Sequence, residues 1–256
     1  MAYSQERLAE WQADWERWTM ERFDALPRHA DLIADLAAPL GLRIAAQVTG
    51  LAAGDAATLA PIARLLFDAE AAPEAAADAT LTLAPHFDAA LGVQAFAALC
   101  HSFPAFLGNA WLAMLKHPVE MARLKTDPAL LPDAIEELLR FAGPAARQFR
   151  RAVEPVEYDG TCIDKGARVV LCLAEANRDA DVFPDPDRLQ FKRRPSSHLA
   201  FGAGPHACAG APLIRLAARP AIAIFAARFS GQTIAFRPEP EPGVAMRSLR
   251  AFAIRR

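Results

Sequence analysis

The spacing of apolar residues changes along the chain, and the change limits which fold classes are open to it. In the earlier part, apolar side chains recur at helical intervals, as at Trp11 and Trp15. Residues 148–173 instead alternate between apolar and polar side chains and contain a turn signal at Asp159-Gly160. The two patterns together predict a mainly α-helical fold with small antiparallel β-sheets.

Several segments carry helical spacing, and proline and glycine residues separate them. The predicted helices cover residues 8–26, 31–49, 87–116, 132–141 and 211–229, with shorter helices within 51–90. We expect a kink in the 87–116 helix, because Pro104 cannot donate a hydrogen bond to the carbonyl of Cys100. Residues 181–210 are predicted to form a long ordered loop, and residues 232–254 short strands.

Composition excludes several classes of protein. Of the 256 residues, 53% are hydrophobic and 23% are charged, so wholesale disorder is excluded. The net charge of −2 gives no electrostatic basis for binding nucleic acid or a membrane surface. The four cysteines include no Cys-x-x-Cys pair, which favours reduced thiols and a cytoplasmic location. We expect no membrane span, and one domain over residues 1–256, because neither a long uncharged apolar run nor a linker is evident.

The segment 201–210, which reads F-G-A-G-P-H-A-C-A-G, is the strongest candidate for a functional loop. Its glycines (Gly202, Gly204 and Gly210) allow tight turns and the close approach of a flat ligand. Cys208 lies just before a predicted helix, whose free amide groups stabilise a thiolate. A thiolate placed in this way suits the axial position of a heme iron. The alternative is a buried structural cysteine in a turn.

The pattern of Phe201, Gly204, Cys208 and Gly210 resembles that of the cytochrome P450 superfamily of heme-thiolate proteins. The resemblance runs from about Gly108 to the C-terminus. It implies a cytochrome P450-like fold that lacks part of the N-terminal half. It also implies heme b as the cofactor, with the Cys208 thiolate as the proximal ligand of the iron.

Two further motifs support the resemblance. Glu137-Leu-Leu-Arg140 matches the family's E-x-x-R element, and residues three apart share a helix face. The segment 183–188 matches the stretch that supplies a second arginine, here Arg188. The resemblance implies a buried ion network of Glu137, Arg140 and Arg188 that supports the cysteine loop and contributes to fold specificity.

Two residues match positions that contact heme propionates in the family. They are His206, in the loop, and Arg150, whose guanidinium suits a carboxylate by its bidentate geometry. Arg151 is an alternative to Arg150. For His206, the alternative is a solvent-facing loop residue.

The distal side departs from the family pattern. Where the family has a glycine, an acid and a threonine, this chain has Leu99, His101 and Ser102. We expect Leu99 to fill the groove where oxygen sits, and Ser102 to replace the threonine hydroxyl. His101 is either a distal acid or base, or a packed histidine. Cys100 and Cys162 are expected to be core residues.

These features leave three functions open for a small organic substrate. One is a monooxygenase that takes electrons from a ferredoxin-like partner. Another is peroxide-dependent oxidation, dehydration or rearrangement, with His101 as acid or base. A third is a non-catalytic heme-binding or scaffold protein. Because the N-terminal part is short for the family, the pocket is open or closed by a second copy, with the tryptophan-rich residues 8–26 as the hypothetical interface.

Overall fold

Helices form most of the computed structural model, which describes residues 5–67, 72–194, 197–243 and 245–255. The helices are α1 (Gln5–Asp24), α2 (Ala38–Thr49), α3 (Ala53–Arg64), α4 (Pro73–Leu83), α5 (Ala90–Cys100), α6 (Ser102–Lys116), α7 (Pro118–Thr126), α8 (Leu131–Ala142), α9 (Leu173–Ala176) and α10 (Ala211–Phe229). A wide helical turn, Leu32–Ala37, precedes α2. The predicted helices are therefore present, whereas α7 was not anticipated from the sequence.

Small antiparallel sheets complete the fold, as predicted. The strands are β1 (His29–Asp31), β2 (Arg147–Arg151), β3 (Val156–Tyr158), β4 (Thr161–Ile163), β5 (Arg168–Cys172), β6 (Ala235–Pro240) and β7 (Leu249–Arg255). They pair in the orders β1-β7-β6, β2-β5 and β3-β4. Asp159 and Gly160 both have positive φ, 47° and 72°, which is the geometry of the tight hairpin turn that joins β3 to β4.

The tryptophans of α1 are part of the core. Trp15 is fully buried, and its indole N–H donates to Oε1 of Gln47 on α2 at 2.7 Å. Trp11 and Trp18 are buried as well. The hypothesis that these side chains form an interface with a second copy is therefore wrong, because they already pack inside the chain.

The central helix is broken, as the proline predicted. His101 separates α5 from α6 and has non-helical backbone angles, φ −124° and ψ −62°. The break precedes Pro104, whose ring nitrogen has no hydrogen to donate. Gly41 of α2 lies against this junction: a Cβ built there would be 2.6 Å from the carbonyl oxygen of Leu99. The absence of a side chain at Gly41 therefore allows α2 to pack closely against the kink.

Among the described residues, two helical stretches are long and apolar enough to cross a membrane by length and composition alone, and the expectation of no membrane span stays a prediction. They are Leu32–Thr49 and Ala90–Lys116. In the apolar 18-residue window of each stretch, 50% and 56% is buried inside the fold, respectively. Core helices meet the same criterion, so this finding is weak evidence for a membrane span.

Candidate functional site

The loop that carries Cys208 is closed by its own backbone. Gly202 and Gly204 have φ of 68° and 70°, a left-handed conformation that side chains with a Cβ rarely adopt. The backbone N–H of Cys208 donates to the carbonyl of Phe201 at 2.8 Å. The two glycines thus turn the chain, and the cross-loop bond holds Cys208 beside Phe201.

The Cys208 thiol is exposed and lies directly before α10. The carbonyl of Cys208 accepts from the amide of Ala211, the first residue of the helix. A Cβ built on Gly210 would lie 3.8 Å from the Cys208 sulfur, so this neighbour leaves the thiol accessible. An accessible thiolate near helix amides is the donor that a heme iron takes in the axial position. The residues present therefore fit a heme held by one thiolate.

The predicted propionate contacts have other partners within the chain. Arg150 and Arg151 are exposed on β2. The guanidinium of Arg150 donates to the carbonyl of Phe149 at 2.9 Å, and that of Arg151 to the carbonyl of Gly166 at 2.7 Å. His206 is exposed in the short turn of the cysteine loop. All three are accessible to a ligand, and their role toward a propionate stays a prediction.

Glu137 and Arg140 form a buried ion pair on α8. Arg140 Nε donates to Glu137 Oε2 at 2.7 Å and Nη2 to Oε1 at 2.9 Å, with the side chains only 1% and 3% exposed. A second guanidinium, that of Arg193, donates from Nε to both carboxylate oxygens at 3.0 and 3.1 Å. One carboxylate therefore serves two buried arginines, whose remaining donors reach backbone carbonyls of the 177–188 segment.

The prediction that Arg188 completes this network is wrong. Its side chain is exposed, and only its backbone carbonyl takes part, accepting from Arg193 Nη2 at 2.7 Å. Leu189, Phe191 and Arg193 are all buried, and the backbone N–H of Arg193 closes a turn by donating to the carbonyl of Gln190 at 3.0 Å. This turn brings the Arg193 side chain to Glu137, and no local pattern in the sequence singles it out.

A second cluster, which the sequence analysis missed, surrounds Glu136. Arg215 on α10 donates from Nε and Nη2 to the two Glu136 oxygens at 2.6 and 2.8 Å. His198 Nε2 lies 3.2 Å from Glu136 Oε2. Burial alone would raise the pKa of Glu136, but the hydrogen bonds from Arg215 and His198 outweigh it and lower the pKa to about 2. We call Glu136, His198 and Arg215 the Glu136 clamp.

The distal residues lie at the junction of α5 and α6. Leu99 is 2% exposed and belongs to the main core, and its expected place in the groove where oxygen sits stays a prediction. Ala98 and Ser102, four residues apart, are both partly exposed. The ring of His101 lies 5.7 Å from that of Phe67, which is a packing contact. The roles of His101 and Ser102 in the chemistry stay predictions.

The cysteines fall into two groups. Cys100 is largely enclosed, and burial raises the pKa of its thiol to about 12. Cys162 and Cys172 are exposed on the small sheets, so the expectation that Cys162 is a core residue is wrong. Its strand belongs to a two-stranded ladder that is exposed along most of its length.

The amino-acid sequence of this chain is similar to those of known proteins. The family model described as Cytochrome P450 matches residues 118–250, just over half of the chain. Over 153 residues, the chain is 41% identical to cytochrome P450 monooxygenase PikC of Streptomyces venezuelae, covering 58% of this chain and 37% of that protein. Over 134 residues, it is 45% identical to the vitamin D(3) 25-hydroxylase of Pseudonocardia autotrophica, covering 52% and 31%. The matched part is thus about a third of the length of these relatives.

Solved structures match over nearly the whole chain. CYP164A2 of Mycobacterium smegmatis superposes with a TM-score of 0.89 at 23% identity, covering 99% of this chain and 76% of that one. The LnmA cytochrome P450 hydroxylase of Streptomyces atroolivaceus gives a TM-score of 0.82 at 28% identity, again covering 99% and 76%. The fold, the cysteine loop and the family match all agree, and the chain therefore belongs to the cytochrome P450 family.

Proposed function

We propose that this chain binds heme b through the Cys208 thiolate and acts as a heme-dependent oxidoreductase on a small organic substrate. The observation that carries the proposal is the exposed Cys208 thiol, held before α10 by a loop with two left-handed glycines. The activity is a proposal for this chain because it matches only about a third of the length of its curated relatives.

Each site residue has a defined part in this proposal. Cys208 would supply the thiolate that holds the iron, and His206 and Arg150 or Arg151 would offer cationic or hydrogen-bonding groups to the propionates. When bound, the heme supplies an iron centre for oxidation chemistry with an external oxidant. The Glu137 network fixes the long loop before the cysteine loop, and the Ser102 hydroxyl is available to hold a proton at the junction of α5 and α6.

The absorption spectrum of the reduced, carbon monoxide-treated protein tests the proposal. We expect a strongly red-shifted Soret band from thiolate ligation, and Cys208→Ala should abolish it. Cys172→Ala is the matched control, because Cys172 is also exposed but lies on β5, and its spectrum should equal that of the wild type. A protein that takes up no hemin, or a red-shifted band that survives Cys208→Ala, would contradict the proposal.

The first candidate reaction is a monooxygenation driven by electrons from a ferredoxin-type partner. Two relatives of this chain are named as a monooxygenase and a hydroxylase, which supports this reaction. Product formed with a reductant, a ferredoxin system and air is the expected result. Heme-loaded protein that converts no substrate under any oxidant would favour a non-catalytic heme-binding or scaffold role instead.

The second candidate is peroxide-dependent oxidation, dehydration or rearrangement. It is favoured by His101, which stands at the helix break beside the partly exposed Ser102. As an acid or base, His101 should matter to rate, and His101→Ala should slow peroxide-driven turnover by at least about a hundredfold. Phe67→Leu is the control, because it disturbs the packing of the His101 ring without removing the imidazole. Equal losses in both variants would show that His101 only packs.

Two further predictions concern the oligomeric state of the protein and its location in the cell. The tryptophans are buried and therefore cannot form an interface with a second copy. The molar mass measured at micromolar concentration tests whether a second copy closes the site by another surface. A cytoplasmic location is expected from the reduced thiols and is tested by cell fractionation.

A further inference from the structure

We propose that the Glu136 clamp positions the Cys208 thiolate and sets the charge that it experiences. Glu136, His198 and Arg215 would thus be positioning residues for the ligand sulfur. This inference rests on the proposed function for its effect on iron, but the geometric part concerns the chain alone. It assigns to Glu136 a role distinct from that of its neighbour Glu137, which binds the 177–193 loop.

The clamp begins with the tautomer of His198. The backbone N–H of Ala200 donates to His198 Nδ1 at 3.2 Å, so Nδ1 accepts a hydrogen bond and carries no proton. The proton therefore resides on Nε2, which donates to Glu136 Oε2 at 3.2 Å. The His198 side chain is 3% exposed. The segment that enters the cysteine loop is fixed in this way to α8.

The clamp continues through Phe201 to the cysteine. The guanidinium of Arg215 lies 4.7 Å from the centre of the Phe201 ring, which is a cation–π contact. The carbonyl of the same Phe201 accepts the backbone N–H of Cys208 at 2.8 Å. Glu136 holds Arg215, Arg215 covers Phe201, and Phe201 binds the backbone of Cys208. A change at Glu136 is therefore transmitted to the cysteine through three successive contacts.

The clamp also controls charge near the sulfur. The guanidinium of Arg215 covers the ring of Phe201, whose carbonyl holds Cys208, so this cation is fixed beside the cysteine loop. The hydrogen bond to Glu136 raises the pKa of Arg215 and keeps it charged. The Arg215 cation would stabilise negative charge on the thiolate, and the Glu136 carboxylate would oppose this effect. A cation near an iron thiolate favours the reduced state, which carries one more electron. The two clamp residues should therefore shift the reduction equilibrium in opposite directions.

Redox titration of the heme-loaded chain tests this charge effect. At a fixed potential, we expect Arg215→Gln to lower the ratio of ferrous to ferric protein by about tenfold and Glu136→Gln to raise it by about tenfold, or ~59 mV each for one electron. Arg219→Gln is the matched control, because it removes an arginine from the exposed side of the same helix. Arg215→Lys keeps the charge and should remain closer to the wild type than Arg215→Gln.

Only shifts of opposite sign, both larger than that of the Arg219→Gln control, support the charge effect. Shifts of the same sign, or shifts no larger than the control, overturn it. A clamp that served only to fold the chain would lower heme content in both variants without this reversal of sign.

Hydrogen exchange on the heme-free chain tests the positioning effect separately. In Glu136→Gln, the amides of Ala200 and Cys208 should exchange at least about tenfold faster, because both depend on the clamp for their acceptors. Unchanged exchange, or equal acceleration in Arg219→Gln, overturns the positioning role. If the wild-type chain takes up no heme, the proposed function fails, whereas this measurement still decides whether the clamp exists.

Discussion

At the scale of single residues, Arg193 and Arg188 show how much depends on the direction of a side chain. Arg193 is 6% exposed and binds Glu137, whereas Arg188 is exposed and offers only its carbonyl to the network. Removing one partner of a buried ion network leaves charge and carbonyl groups without hydrogen bonds. The two arginines should therefore respond very differently to truncation.

We predict that Arg193→Ala lowers the free energy of unfolding by about 3–5 kcal/mol. Arg188→Ala should change it by no more than about 0.5 kcal/mol, since its guanidinium has no part in the network. Urea unfolding followed by circular dichroism measures both values. Similar losses in the two variants would mean that the network does not depend on the Arg193 guanidinium.

Glu136 predicts how stability depends on pH. The pKa of Glu136 is lowered in the folded chain to about 2 from an ordinary value of 4.5. As the pH falls, the unfolded state therefore binds this proton before the folded state does. The stabilisation is present above pH 4.5 and is lost as the pH falls toward 2. Because the carboxylate is partly exposed and screened, we expect roughly 1 kcal/mol from this group.

Unfolding free energies measured between pH 2 and pH 5 check this prediction. Glu136→Gln should flatten the pH dependence in this range by about the same 1 kcal/mol. Glu154→Gln, at an exposed position of the turn before β3, should leave the slope unchanged. A slope that stays the same in Glu136→Gln would show that the carboxylate is not stabilised in the folded state.

At the scale of elements, the close approach of α2 to the α5–α6 junction gives a sharp test. A Cβ on Gly41 would lie 2.6 Å from the Leu99 carbonyl oxygen and 2.7 Å from Pro104 Cγ, distances that require the helices to separate. We predict that Gly41→Ala lowers the free energy of unfolding by about 1–3 kcal/mol.

Gly54→Ala is the control for helix propensity. Gly54 lies in α3, and a Cβ there would have nothing within 4 Å. Because alanine favours helix over glycine, this variant should gain up to about 1 kcal/mol in the free energy of unfolding. Thermal or urea unfolding of both variants is the measurement, and equal effects would show that the junction tolerates separation.

Local signals explain which elements could be predicted from the sequence. The start of α10 at Ala211 follows from the glycine and proline residues before it, and the β3–β4 hairpin from Asp159-Gly160. The helix α7 was missed because its nine residues, Pro118–Thr126, follow α6 directly and have a weak apolar face. Short helices of this kind depend on tertiary packing more than on local pattern.

At the scale of the whole molecule, the parts of the site that lie close together in the sequence could be predicted, whereas the parts that lie far apart could not. The turns around Cys208 lie within ten residues of it and were anticipated from glycine positions. The Glu136 clamp joins residues 62 and 79 positions apart, and Arg193 lies 56 positions from Glu137. Such contacts depend on how α8, α10 and the long loop pack, which no local pattern encodes.

The strand pairing between the two ends of the chain has a consequence for synthesis. Strand β1 pairs with β7, and Asp31 Oδ1 accepts the backbone N–H of Phe252 at 3.0 Å, across 221 residues. Translation proceeds from the N-terminus, so β1 emerges from the ribosome long before its partner exists. This sheet is thus completed only after β7 has been synthesised, and a nascent chain halted before Leu249 would leave β1 and β6 without their shared partner strand.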